Sequence, residues 1–161
     1  MRRGDPGEIS RLWTAPIEIS RVLALHAVAL YCRSAMSTTD RHVTEASLRT
    51  NTAHQVRMTI LTLGLLTKAG VETGRLLKLE FFFYTNARDK AEAFVKSLAK
   101  IEYQAKCHPS AKDAHRWLVE GWTTPVPIDE KTLIQWTQEM CEAGFLHDCE
   151  FDGWGTSPKQ S

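Results

Sequence analysis

Lys78-Leu79-Glu80-Phe81-Phe82-Phe83-Tyr84 is the stretch on which the fold turns. Leu79, Phe81 and Phe83 alternate with Glu80, Phe82 and Tyr84, and the two-residue period of a strand sends these sets to opposite faces. One set is wholly apolar and belongs against a core; the other mixes aromatic rings with a carboxylate. Toward the C-terminus, Asn86 is a cap for a helix reaching about Ala99, with Ala91, Phe94, Val95 and Leu98 on its inner face. Tyr103 to Cys107 predicts a second strand, and a turn around Pro109 to Ala114 leads to a third over His115 to Thr123. Asp129 caps another helix, with Leu133, Trp136 and Met140 inward and Gly144 as its left-handed stop. His147 to Phe151 predicts the last strand.

From residue 78 the predicted order is βαββαβ, a ferredoxin-like α+β pattern: two helices on one face of a four-stranded antiparallel sheet, first and third strands central. Leu79, Phe81, Phe83, Trp117, Val119, Cys149 and Phe151 then face the helices. The other face carries Phe82, Tyr84, Leu118 and Trp122, with Glu80, Glu120, Asp148, Glu150 and Asp152 among them. Toward the N-terminus, Thr52 and Gln55 have capping-box spacing and open a helix through Ala69, with Val56, Ile60, Leu63 and Leu66 inward and Gly70 as stop. This helix is placed over part of the second sheet face. Ser34 to Thr50 is polar and reads as a linker. Ile17 to Cys32 carries Val22, Leu25, Ala29 and Cys32 on one helical stripe. The chain thus divides into an arm and linker over residues 1–50 and a domain over residues 51–161. Met36, followed by Ser37-Thr38-Thr39-Asp40, is a second candidate start.

A domain of this 161-residue length buries roughly 70% of its unfolded surface, so it needs no disulfide or metal staple. Twenty basic against nineteen acidic side chains, net +1, argue against binding driven by bulk charge to nucleic acid or membrane. The sign is uneven: residues 1–76 carry ten basic and six acidic residues, net +4, and residues 77–161 carry ten and thirteen, net −3. Four cysteines without a CxxC pair read as reduced thiols, which places the chain in the cytoplasm. The apolar run after Arg2 and Arg3 imitates an export signal but is not expected to act as one: Asp5, Glu8 and Glu18 acidify its approach, and no small-x-small site follows.

No nucleophile elbow, HExxH or phosphate loop is present, and Asp129-Glu130 is better explained as a helix N-terminus. These features point away from an enzyme and from a cofactor. Cys107 and Cys149 fall on opposite sheet edges in the predicted topology, so a metal site is not expected. Phe82, Tyr84 and Trp122 imitate the base-stacking platform of RNA-binding sheets. The carboxylates beside them have the wrong sign for phosphate, which favours a protein partner.

The C-terminal run Phe151-Asp152-Gly153-Trp154-Gly155-Thr156, taken with the aromatic strand and the Ala91-Glu92-Ala93-Phe94 helix, resembles the ribonuclease E inhibitor family, the regulators of ribonuclease activity B. The resemblance covers about residues 54 to 158. It implies a ferredoxin-like fold and a non-enzymatic regulator that restrains RNA decay by binding the scaffold region of a ribonuclease E-type endoribonuclease. Members known for this are strongly acidic with an acidic tail, a departure from the near-neutral charge here. The partner-binding residues expected are Phe82, Tyr84, Trp122, Asp152 and Trp154, with Asp152, Gly153, Trp154, Gly155 and Thr156 as the signature. Trp154 is expected just beyond the last strand, folded back by the flanking glycines onto the domain.

Overall fold

A computed structural model describes residues 41–159. The expected Ile17–Cys32 helix lies outside them, as do Met36 and the first part of the expected linker. In chain order the elements are α1 (Glu45–Lys68), β1 (Leu76–Leu77), β2 (Glu80–Thr85), α2 (Arg88–Ala99), β3 (Gln104–Pro109), β4 (Trp117–Trp122), β5 (Val126–Pro127), α3 (Glu130–Leu146) and β6 (Glu150–Gly155). The described residues are thus mixed α and β, with three helices and two antiparallel sheets. Among the described residues no helix is long and apolar enough to cross a membrane.

Four strands form the main sheet in the order β3-β4-β2-β6, so the aromatic strand β2 and its partner β4 are central. The short β1 and β5 pair separately and interrupt the βαββαβ order expected. The alternation read in β2 holds: Phe81 and Phe83 are fully buried, while Glu80, Phe82 and Tyr84 are half-buried. The Phe83 ring meets Phe94 of α2 edge-on at 4.7 Å and Phe151 of β6 at 4.9 Å. Leu133, Trp136 and Met140 bring α3 onto the same core, and Asp129 caps that helix by accepting from the Thr132 amide at 2.9 Å.

Four local expectations are corrected. The helix expected to open at Thr52 begins at Glu45, inside the expected linker, and runs across position 50; Thr44 and Ser47 make the capping box instead. Asn86 does not cap α2, whose N-cap is Ala87; the Asn86 Oδ1 accepts from Lys90 Nζ at 2.9 Å. Gly144 is no helix stop but a packing position within α3. A Cβ there would lie 2.4 Å from the Cys149 carbonyl oxygen and 2.7 Å from the Phe83 ring. The left-handed residue at that corner is Asp148, with φ 58°.

The fourth concerns which way α1 faces. Gln55, Thr59 and Leu66 are its buried residues, whereas Ile60, expected inward, is exposed. This helix packs on α3 and the edge strand β6 rather than over the second sheet face. Asn51 Nδ2 donates to the Phe151 carbonyl at 2.7 Å and Gln55 Nε2 to the same oxygen at 3.3 Å. An edge carbonyl under a helix needs a donor, and a polar inner face supplies it.

Candidate functional site

The face of the main sheet that, among the described residues, no helix covers is built by register. Trp122 lies opposite Glu80, Glu120 opposite Phe82, and Leu118 opposite Tyr84. On the far side of β4, Lys106 pairs with Glu120 and His108 with Leu118. Phe82, Tyr84, Leu118 and Trp122 are all half-buried. Beside Trp122 the surface dips into a cleft of about 290 Å³ lined by Glu80, Lys106 and Glu120. The Arg116 guanidinium sits 5.9 Å from the Tyr84 ring centroid.

The charges on this face are partly self-neutralised. Glu120 accepts from Lys106 Nζ at 3.0 Å and lies 3.2 Å from His108 Nε2. The Lys106 bond, followed by that to His108, holds the Glu120 carboxyl below its ordinary value. The hydrogen bond to the Pro109 carbonyl, then that to Glu120, raises the His108 imidazole. Two of the basic groups that would meet a phosphate backbone are therefore occupied by one carboxylate, a poor arrangement for nucleic acid.

All of the signature run but Thr156 lies within β6 rather than after a strand ending at Phe151. Phe83 pairs with Phe151 but Phe82 pairs with Gly153, so Asp152 is the extra residue of a β-bulge. Gly153 has φ 122°, a conformation side-chain-bearing residues rarely adopt. The bulge shifts the alternation by one and sets Trp154 opposite Phe81, on the core side. Its indole N–H donates to Thr59 Oγ1 at 2.9 Å, and that hydroxyl shares a 2.8 Å bond with Thr137 Oγ1. The ring meets Trp136 edge-on at 6.2 Å, and Thr156 Oγ1 donates to the Lys78 carbonyl at 2.7 Å.

Of the five expected partner-binding residues, Phe82, Tyr84 and Trp122 share the uncovered face. Asp152 stands exposed at the bulge on its border. Trp154 is turned the other way and lines a cleft of about 220 Å³ between α1 and β6, shared with His54, Met58 and Phe82.

Asp148 was expected on the open face and is instead fully buried. It accepts from Lys90 Nζ at 2.6 Å and from the amides of His42 and Val43 at 2.9 and 2.8 Å. Burial alone would raise its carboxyl, but the Lys90 bond and the two amides outweigh that and hold it low. The Thr85 hydroxyl donates to the Asp148 carbonyl at 2.8 Å, so this one residue ties β2, α2 and the start of α1 to the α3–β6 corner. Nothing in the local pattern around Asp148 distinguishes it from a surface turn carboxylate. The aligned donors come from residues 42, 43 and 90, far away in the chain.

Among the described residues the three thiols are all raised by burial. Burial pushes Cys141 up to about 11 and Cys149 up to about 12, so neither supplies thiolate near neutrality. Cys107 and Cys149 flank opposite edges of the main sheet, and among the described residues no group of three His, Cys, Asp or Glu side chains is placed to hold a metal. Against known proteins, residues 57–156 match the family described as regulator of ribonuclease activity B. No curated protein matches the chain.

Proposed function

The chain belongs to the regulator of ribonuclease activity B family, and from that premise we propose that it is a non-enzymatic regulator acting by protein contact through the uncovered sheet face. The family match carries the reading, since it spans the whole main sheet and α2 and α3. The contact surface follows from the half-buried rings of Phe82, Tyr84 and Trp122, which sit on rigid central strands. Aromatic anchors on a preorganised surface lose little conformational entropy on docking and dominate interface energetics. Glu80 and Glu150, in register on this face, and Asp152 at its border favour a partner with basic side chains. A ribonuclease E-type endoribonuclease is the partner that this reading names, and the cytoplasm is where the two would meet. The order of the four long strands, with β1 and β5 as additions, supports reading the domain as a ferredoxin-like variant.

The test is affinity capture on the native chain and on the Tyr84→Ala/Trp122→Ala double variant, with the folded state of each checked by thermal unfolding. Removing two anchors lowers affinity for a ribonuclease E-type scaffold by at least about thirtyfold, at about 2 kcal/mol for a single hot-spot ring. Equal capture by both proteins would refute the surface. Absence of the endoribonuclease from both would refute the partner. A base-stacking platform is the rival use of the same three rings. It predicts binding to single-stranded RNA that weakens steeply between about 50 and 200 mM salt.

A further inference from the structure

The outer face of α1 is the largest feature that the proposed contact does not use. Met58, Leu61 and Leu65 stand 43%, 62% and 65% exposed, spaced so that they form one stripe, with Ile60 44% exposed beside it. Gly64 has no atom within 4 Å of where a Cβ would be, so the helix surface there is open to close approach. Contiguous apolar surface of this kind marks an interaction site.

We propose that the occupant is residues 17–32 of this same chain, laid antiparallel along α1. Forty residues precede Arg41, and the chain passes from them directly into the start of α1. Within them Val22, Leu25, Ala29 and Cys32 repeat at helical spacing, a stripe matching the one on α1. In helical form, with Leu25 opposite Leu61, Val22 falls beside Leu65, Ala29 beside Met58 and Cys32 beside His54. The same register sets Glu18 beside Lys68, the basic residue of the last turn of α1, so charge agrees with apolar pattern. Returning from the level of His54 to the start of α1 covers about 15 Å at the helical rise. Residues 33–40 extend to about 26 Å, which is sufficient. Two antiparallel helices joined by a short connection are an ordinary helical hairpin. A second copy of the chain suits the face less well. Antiparallel α1–α1 pairing would bring the basic residues Arg57 and Lys68 of each copy into one interface.

The test is alkylation of the full-length Leu61→Cys protein, followed at residue 61 by peptide mass spectrometry. It is compared with the same protein carrying Val22→Asp and Leu25→Asp. The expected result is alkylation at least about tenfold slower with the native arm, independent of protein concentration, with cooperative unfolding kept in both proteins and a midpoint only several degrees lower in the arm variant. Equal rates in the two proteins would overturn the proposal. So would protection that persists in the arm variant and grows with concentration, which assigns the face to a second copy. Protection appearing only with added phosphatidylglycerol vesicles would assign it to lipid and overturn it equally.

Discussion

Replacing Trp154 separates a structural anchor from an exposed hook. The indole sits in the bulged segment of β6, edge-on to Trp136, and its N–H ends on the buried Thr59–Thr137 pair. Trp154→Phe keeps most of the ring and removes one donor. Thr59 and Thr137 still satisfy each other, so the cost is that of a single hydrogen bond, about 1 kcal/mol. Trp154→Ala also opens a void against Trp136 and α1. Full burial of such a ring is worth about 3–5 kcal/mol; half-burial brings the expected loss to about 2–4 kcal/mol. In a domain of this size that lowers Tm by on the order of 10 °C. Urea unfolding of the three proteins, with partner affinity measured on the folded fraction, checks the ordering native above Trp154→Phe above Trp154→Ala. A Trp154→Ala protein that unfolds like the native chain but no longer binds would refute the reasoning. The indole would then be a contact and its Thr59 bond incidental.

Other outcomes follow from the same geometry. Phe81→Ala, at a fully buried site, costs about 3–5 kcal/mol in denaturant unfolding, whereas Phe82→Ala on the uncovered face costs well under half of that. Equal costs would mean the second face is packed. Gly144→Ala forces a Cβ to within 2.4 Å of the Cys149 carbonyl oxygen and destabilises by about 1–3 kcal/mol, unless α3 shifts, which loss of near-ultraviolet dichroism from Trp136 would report. Asp148→Asn leaves the Lys90 ammonium facing a neutral amide and costs about 3–5 kcal/mol by thermal unfolding at pH 7. The low carboxyl of Asp148 sets the sign with pH. Its stabilisation is complete above the unfolded value near 3.9 and is lost as pH falls through that value toward the folded one. His42, whose imidazole burial lowers, adds a loss that begins as pH falls below about 6.5, opposed near neutrality by His108, which is raised. The Asp148→Asn protein shows the flatter curve below pH 4.

The periodic elements were legible without the fold. In β2, α2 and α3 one face must meet the core whatever the partner is, so alternation and helical spacing suffice to place Phe81, Phe83, Phe94, Leu98, Leu133 and Trp136. The three rings on the opposite face follow from the same two-residue period. Where that logic failed, a neighbour distant in the chain had the deciding say. Apolar periodicity put Ile60 inward, but the inner face of α1 meets the edge carbonyl of Phe151 and the Trp154 indole, so Asn51, Gln55 and Thr59 face in beside Leu66, while Ile60, Leu61 and Leu65 face out. Gly144 reads as a helix stop until the close approach of the Cys149 backbone and the Phe83 ring shows why no side chain fits. Asp148 becomes a buried clamp because residues 42, 43 and 90 converge on it. The family resemblance was read from the Asp-Gly-Trp-Gly-Thr run with the aromatic strand and the helix after it, and the family match over residues 57–156 agrees with it, whereas the direction of the tryptophan depended on strand register. One extra residue opposite β2 exchanges the faces of everything after it, and no local pattern counts the residues on the neighbouring strand.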